Sequence, residues 1–329
     1  GSEMCIRDRV ETVVEFSHVS MEFPGVRANE DVSFSVRKGE IFALVGENGA
    51  GKSTLMNILY GILTPSAGEV YIKGERVTRF DPRAAIARGV GMVHQHFMLV
   101  PSFTVAQNIA LGREPRKGKL FYDLAEASRA AAQLSQEYGL AVSPEDTVRD
   151  LSVGLQQRVE ILKTLYRGAD VLILDEPTAV LTPQETDELF AVLRRVVREK
   201  GMTVILITHK LYEVMAISDR VGVLRQGRLV GVAYTRDVNE RTLASMMVGR
   251  EVLQPPVEKT GTPGAVKIAL SGVSVQNNRA LPAVRELSLT VHAGEIVGIA
   301  AVEGNGQSEL LEAIAGMRQF KGTITVNGV

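Results

Sequence analysis

Uninterrupted apolar runs alternate with helical patterns through the middle of the chain. Residues 41–45, 171–174 and 203–207 are each continuous apolar runs, the pattern of strands in a parallel sheet that is covered on both faces. Residues 183–198, between the last two runs, carry apolar side chains at helical spacing. A strand, a helix and a second strand in this order predict a βαβ unit, so the pattern indicates an α/β fold.

The flanking segments supply further elements. Strands are predicted at residues 13–21, 32–36, 69–72, 91–95, 220–225 and 228–233. Short helices are predicted at residues 83–88 and 239–248. Between residues 104 and 163 the pattern is helical, most clearly in the alanine-rich residues 123–138. We therefore expect a helical insertion, at about residues 96–165, within the α/β domain.

A repeat with a long period becomes visible near the end of the sequence. Three short motifs of the first part return there, namely Gly39-Glu40-Ile41 as Gly294-Glu295-Ile296, Gly61 as Gly316, and Lys73-Gly74 as Asn327-Gly328. We expect that the chain begins a second copy of its first domain and is truncated at Val329.

The predicted division of the chain has four parts. Residues 1–9 fit no pattern and are interpreted as a non-native tail, and residues 10–250 form the first domain. Residues 251–264 hold three prolines and two glycines, a composition typical of a linker. Residues 265–329 form the truncated start of the second domain.

Composition excludes some classes of function. The 329 residues are 45% hydrophobic and 23% charged, which is ordinary for a globular protein. A net charge of -1 argues against nucleic acid as a partner. Cys5 is the only cysteine, so no internal disulfide can form. The sequence contains neither a long apolar span nor a secretory signal, and we expect a cytoplasmic protein.

A phosphate loop follows the first apolar run. The stretch fits the pattern G-x-x-x-x-G-K-[ST] at every fixed position and comprises Gly46, Glu47, Asn48, Gly49, Ala50, Gly51, Lys52, Ser53 and Thr54. Lys52 is predicted to reach the β and γ phosphates of a nucleotide, and Ser53 to hold Mg²⁺. A plain glycine-rich turn is the alternative, but the strand before the loop and the helical pattern after it favour a nucleotide site.

Other candidate residues follow strands of the same predicted sheet. Asp175 and Glu176 end the run at 171–174, where Asp175 is expected beside Mg²⁺ and Glu176 beside the attacking water. His209 follows the run at 203–207 and is expected to contact the γ phosphate. Gln95 could meet both Mg²⁺ and the water, whereas a metal pair of the flanking histidines, His94 and His96, lacks a third ligand nearby.

From residue 10 to its end the chain resembles the ATP-binding subunits of ABC transporters, especially the tandem-domain subunits of bacterial sugar and nucleoside importers. The resemblance gives Phe23 the place of the adenine-stacking aromatic and Gln95 that of the Q-loop. It matches Asp175 and Glu176 to the Walker B pair and His209 to the switch histidine. Residues 151–158 resemble the signature LSGGQ and include Ser152 and Gly154, with Val153 and Leu155 as departures. Thr182 stands where the D-loop of the family usually has aspartate.

The resemblance implies a phosphate-loop NTPase fold, ATP and Mg²⁺ as ligands, and an ATPase that energises import of a small solute. It implies permease subunits in the membrane as partners, a peripheral place on the cytoplasmic face, and an extracytoplasmic substrate-binding protein as an indirect partner. A second ABC domain, from the rest of the same chain or from a dimer mate, would complete each ATP site, so the chain as given is expected to be weakly active. The stretch at residues 93–109 is most similar to nucleoside importers.

Two alternatives remain open from the sequence. A soluble ABC-type ATPase that acts on ribosomes or DNA would use the same motifs, and a regulatory module could bind nucleotide without hydrolysing it.

Within the repeat, the second phosphate loop is degenerate, since Gln307 aligns with Lys52, Ala301 with Gly46 and Glu309 with Thr54. We expect one working ATP site and one impaired site.

Overall fold

The computed structural model describes residues 11–95, 97–118, 121–249, 263–278, 280–301 and 304–328. They fall into two units, within Gly1–Leu253 and Gln254–Val329. The predicted tail at residues 1–9, most of the predicted linker at 251–264, and His96 lie outside the described residues. The predicted domain boundaries therefore stay predictions.

The first unit alternates strands and helices. In chain order its elements are β1 (Thr12–Phe23), β2 (Val26–Arg37), β3 (Ile41–Val45), α1 (Lys52–Leu59), β4 (Ala67–Ile72), β5 (Glu75–Arg76), α2 (Pro82–Ala87), β6 (Val90–Val93), α3 (Val105–Ala110), β7 (Arg116–Lys117), β8 (Phe121–Tyr122), α4 (Leu124–Tyr138), α5 (Val153–Tyr166), β9 (Val171–Asp175), α6 (Pro183–Lys200), β10 (Thr203–Ile207), α7 (Leu211–Ile217), β11 (Arg220–Arg225), β12 (Arg228–Tyr234) and α8 (Glu240–Val248). Short 3-10 turns lie at Val148–Asp150 and Thr235–Asp237.

A six-stranded sheet carries the core of this unit. Its strand order is β12-β11-β3-β10-β9-β6, and every pair is parallel except the antiparallel pair of β11 and β12. All residues of β3, β6, β9 and β10 are buried, because both faces of the sheet are covered. One face packs against α1 and strands β1 and β2, and the other packs against α3, α5 and α6. The α/β fold predicted from the continuous apolar runs is confirmed.

A second, antiparallel sheet has the strand order β2-β1-β4-β5. The rings of Phe16, Phe34 and Phe42 stack in a row, with centroid distances of 4.8 and 5.4 Å, and this row joins the antiparallel sheet to β3. Strand β2 begins six residues earlier than predicted, at Val26, because cross-strand pairing such as that of Arg27 with Glu22 extends it through a polar stretch that has no apolar alternation.

The inserted segment packs α3, α4 and α5 together around small and branched side chains such as Ala106, Ala131 and Val159. It is not wholly helical, since β7 and β8 form a two-stranded hairpin between α3 and α4. This hairpin was not predicted, because strands of two residues are too short to show a periodicity.

The second unit contains β13 (Val266–Gln276), β14 (Pro282–His292), α9 (Gln307–Ile314) and β15 (Phe320–Val326). Its sheet order, β14-β13-β15, reproduces the order β2-β1-β4 of the first unit. Left-handed glycines recur 255 residues apart, with φ of 95° at Gly51 and 94° at Gly306, and of 73° at Gly39 and 77° at Gly294. The structure of this unit therefore supports the predicted repeat.

Residues 296–300 of the second unit align with β3 but are not a strand. They have no strand partner among the described residues of that unit, and Ile296 is 98% exposed.

In both units, no described helix combines the length and the apolarity needed to cross a bilayer.

Candidate active site

The phosphate loop lies between β3 and α1 and is pressed against the backbone of neighbouring elements. A Cβ added at Gly51 would lie 2.4 Å from the carbonyl oxygen of Ala28, and one at Gly46 would lie 2.4 Å from that of Leu224. Gly51 also has a φ of 95°, which favours glycine. The glycines of the motif are therefore required by close backbone approach as well as by the turn.

Helix α1 presents its N-terminus at this loop. Its N-cap residue is Gly51, which has no side chain to accept from the N–H groups of the first turn, and that turn holds no acidic residue. These donors and the positive end of the helix dipole are suited to an anion.

Lys52 is the first residue of α1 and its side chain folds over the loop. The ammonium Nζ donates to the carbonyl oxygens of Gly46 at 2.8 Å and Glu47 at 2.9 Å. Burial lowers the pKa of Lys52, although the carboxylates of Glu176 and Asp175 oppose this shift. The cation is thus placed against the loop in the position where a phosphate chain would lie.

Asp175 is the last residue of β9 and faces the start of α1. Ser53 Oγ lies 3.4 Å from Asp175 Oδ1 and donates to it. Burial raises the pKa of Asp175, while the hydroxyl of Ser53 and the ammonium of Lys52 act in the opposite direction. A hydroxyl and a carboxylate oxygen side by side form a pair of hard oxygen ligands of the kind that Mg²⁺ prefers.

Glu176 and His209 come together from two adjacent strands. Glu176 Oε1 lies 2.9 Å from His209 Nδ1, and the backbone N–H of Glu176 donates to Ile207 at 2.9 Å. Glu176 has a φ of 47°, a left-handed conformation that a non-glycine residue keeps only where its surroundings enforce it. The pairing of β9 with β10 thus places both side chains at one sheet edge.

A cavity of about 510 Å³ opens at this edge. It is lined by Val26, Arg27, Ala28, Asn48, Gly49, Gly51, Lys52, Ser53, Thr54, Gln95, Asp175, Glu176, Gln226 and Gly227. The structure therefore brings together most of the predicted loop residues, Gln95 and the acidic pair. The groups suited to a phosphate chain thus lie at this edge of the sheet.

Two parts of the wall were missed from the sequence. The start of β2 contributes Val26, and the turn between β11 and β12 contributes Gln226 and Gly227. The N–H of Gly227 donates to Ala50 at 3.2 Å. The Gln-Gly turn was visible in the sequence, but no local pattern signals which loop it touches.

Some predicted residues lie outside this cavity. Phe23 ends β1 and is 41% exposed, and it does not line the cavity itself. Ser152 caps α5, where its hydroxyl accepts from the N–H of Leu155 at 3.4 Å, and Gly154 packs against Glu185. None of these three residues lines the cavity of the first unit.

His94 was predicted to lie on a strand, but it directly follows the end of β6. Its ring packs edge-on against Tyr60 with a centroid distance of 5.8 Å, and burial lowers its pKa. No cluster of three or more His, Cys, Asp or Glu side chains suited to a metal occurs in the part of the chain that the structure describes.

The α/β fold has a phosphate loop after β3 and an acidic pair at the end of β9, which is separated from β3 by β10. This arrangement defines the class as a phosphate-loop NTPase. Residues 29–179 match the family model described as "ABC transporter". The first unit therefore belongs to the ABC transporter family, as the motifs indicated, and has the ATP-binding cassette fold.

Individual proteins agree with this assignment. The chain is 53% identical to the guanosine import ATP-binding protein NupO of Bacillus subtilis, over 97% of this chain and 62% of NupO. It is 50% identical to the nucleoside import ATP-binding protein NupA of Lactococcus lactis, over 93% of this chain and 60% of NupA. The chain thus spans about three fifths of the length of these relatives. Among solved structures, the ATP-binding cassette MJ0796 in a dimer bound to ADP and Pi matches with a TM-score of 0.59 and 25% identity, over 68% of this chain and 99% of that one.

Proposed function

We propose that the first unit binds MgATP in the cavity at the phosphate loop and hydrolyses it to energise solute import. The observation that carries this proposal is the gathering of Lys52, Ser53, Asp175 and Glu176 around one cavity, with His209 at 2.9 Å from Glu176. Binding groups, metal ligands and a carboxylate for proton transfer are the parts that phosphoryl transfer to water requires.

The binding groups fit a nucleotide triphosphate with its metal. Lys52 would exchange its bonds to the loop carbonyls for bonds to the β and γ phosphates, and the N–H groups of the loop would cradle them. Ser53, Asp175 and the amide of Gln95 would hold Mg²⁺, which when bound polarises the phosphoryl oxygens. Phe23 at the end of β1 is proposed to stack on the adenine.

The acidic residue after β9 would activate water. We assign Glu176 as the group that orients the attacking water and accepts its proton, since Asp175 is engaged with Ser53. His209 lies against the Glu176 carboxylate, so it would hold that side chain in place and present its ring to the γ phosphate.

The equivalent loop of the second unit is poorly suited to phosphate. Helix α9 begins at Gln307, directly after the left-handed Gly306, just as α1 begins at Lys52 after Gly51. The lysine is thus replaced by a neutral amide, and Glu309 places a carboxylate in the first turn. A negative charge at a helix N-terminus opposes an anionic ligand there.

A buried contact supports the same difference. In the first unit, Asn29 is fully buried and its Nδ2 donates to the carbonyl oxygen of Gly51 at 3.2 Å. The aligned residue in the second unit is Val284, which packs beside Gly306 and offers no donor. We therefore propose that the phosphate loop of the first unit works and that of the second is impaired.

The signature residues would serve a different nucleotide. Ser152 and Gly154 at the start of α5 lie outside the cavity of their own unit, so we propose that they face a phosphate held by a second ABC domain. The cavity at Lys52 would likewise be completed by the signature of a second ABC domain, either on the same chain or on a dimer mate.

The membrane partners would dock beside Gln95. Met98 is 63% exposed and lines a cavity of about 310 Å³ with Tyr60, Ile62, Ile86 and Lys163. An exposed apolar side chain over a partly apolar groove is suited to a helix of a permease subunit. The protein would then act at the cytoplasmic face of the membrane, with an extracytoplasmic substrate-binding protein as an indirect partner.

We propose a nucleoside as the imported solute, because the relatives named for guanosine and nucleoside import share half or more of their aligned residues with this chain. The test reconstitutes the full-length protein with its permease subunits in vesicles and measures ATP-dependent uptake of labelled guanosine. Uptake that requires ATP and is abolished by Glu176→Gln is expected. ATP hydrolysis without any uptake, or uptake of sugars alone, would refute the nucleoside assignment.

A further inference from the structure

Glu213 is a buried carboxylate that the proposed chemistry does not use. It lies on α7, its side chain is fully buried, and its two oxygens accept from two threonine hydroxyls. Oε1 accepts from Thr178 at 2.5 Å and Oε2 accepts from Thr208 at 2.9 Å. Thr178 follows Glu176 by two residues and Thr208 precedes His209 directly, so one carboxylate bridges the two loops that carry the proposed catalytic pair.

The charge of Glu213 is compensated within the same cluster. Lys210 Nζ lies 3.2 Å from Glu213 Oε1 and also donates to the backbone oxygen of Thr178 at 2.9 Å. The hydroxyl of Tyr212 donates to Glu213 Oε1 at 3.1 Å. A buried charge with all these partners is rigid, and the loss of one partner leaves the others unsatisfied.

The cluster lies beside a backbone that needs support. Glu176 has a left-handed φ of 47°. Its backbone N–H donates to the carbonyl oxygen of Ile207, and two residues later Thr178 is held by Glu213. On the other side of Thr178, Gln157 Nε2 of α5 donates to the carbonyl oxygen of Pro177 at 2.7 Å. The loop after Glu176 is thus held from both sides, by Glu213 on α7 and by Gln157 on α5.

We propose that Glu213 is a positioning residue, which holds Glu176 and His209 in register with each other through the hydroxyls of Thr178 and Thr208. This inference rests on the proposed function, in which Glu176 activates water. Glu213 touches neither the cavity nor the phosphate loop, so its contribution falls on turnover and not on nucleotide binding.

The test substitutes Glu213→Gln in the full-length protein. The amide keeps the shape of the side chain but loses its charge and can accept from only one of the two hydroxyls. We expect kcat for ATP hydrolysis to fall by about 10- to 100-fold, with the Kd for a non-hydrolysable ATP analogue changed by less than about twofold. Adding Glu213→Gln to Glu176→Gln should cause no further loss, because Glu213 acts through Glu176.

Matched variants separate positioning from general stability. Thr178→Val removes the hydroxyl and should lower kcat, whereas Thr178→Ser keeps it and should restore most of the rate. This pair decides the question even if Glu213→Gln fails to fold. Glu40→Gln is the control, since Glu40 is also buried and paired with Arg220, at 3.1 Å, but lies at the amino end of β3.

The outcomes distinguish the two proposals. The positioning role would be overturned by any of three results. These are a wild-type kcat in Glu213→Gln, losses of kcat in Glu213→Gln and Glu176→Gln that multiply in the double variant, and an equal loss of kcat in Glu40→Gln. Unimpaired hydrolysis by Glu176→Gln would instead refute the proposed function itself, whatever Glu213→Gln does.

Discussion

The asymmetry between the two phosphate loops leads to a quantitative prediction about Lys52. Its Nζ is buried and bonds to the carbonyl oxygens of Gly46 and Glu47, so it meets a phosphate with little screening by water. A hydrogen bond to a charged group contributes about 1.5–3 kcal/mol. Lys52→Met, which keeps the packing of the stem but removes the charge, should therefore weaken binding by about 10- to 100-fold.

The assay titrates the full-length protein with a non-hydrolysable ATP analogue and Mg²⁺ in a calorimeter. We expect one tight site per chain, which Lys52→Met weakens. Gln307→Ala is the matched control at the equivalent position of α9, and it should change the affinity of the tight site by less than about twofold. Two equally tight sites, or an equal effect of both substitutions, would refute the reasoning.

Three further predictions concern the same unit. Glu176→Gln should keep nucleotide affinity but slow hydrolysis by about 10²- to 10⁴-fold, and an equal loss of affinity and rate in calorimetric and turnover assays would contradict its role. Burial raises the pKa of Asp175, so the folded state binds the proton of this carboxyl group more tightly than the unfolded state does. Asp175 therefore lowers the free energy of unfolding by an increasing amount as the pH rises from the ordinary pKa to the raised pKa. Scanning calorimetry of the nucleotide-free protein should therefore show that Asp175→Asn raises the melting temperature more at pH 7.5 than at pH 4. An equal rise in melting temperature at both pH values would count against this explanation. Met98→Asp should uncouple uptake in vesicles from ATP hydrolysis, and so should Phe97→Asp at a less exposed position. Val230→Asp, on the exposed side of β12, is the control and should not uncouple them. Undiminished uptake in both variants near Gln95 would place the docking site elsewhere.

The sequence alone determined the parts of this protein that depend on neighbouring residues. The phosphate loop is a contiguous motif, and its glycines, lysine and serine are recognisable because each has a local role at a turn before a helix. The buried strands at Ile41–Val45 and Thr203–Ile207 were predicted with the bounds that the structure gives them, because a strand covered on both faces is apolar throughout.

Tertiary structure decided what surrounds that loop. Strand β3 lies between β10 and β11, although more than 150 residues separate it from either along the chain. That order brings Gly227 to Ala50, and the pairing of β9 with β10 brings Glu176 to His209. Glu213 became visible as a bridge only when both loops were in place. Periodicity reports whether a residue is buried, but the identity of its partner depends on strand order, because the hydrogen bonds of a sheet join segments that are distant in sequence.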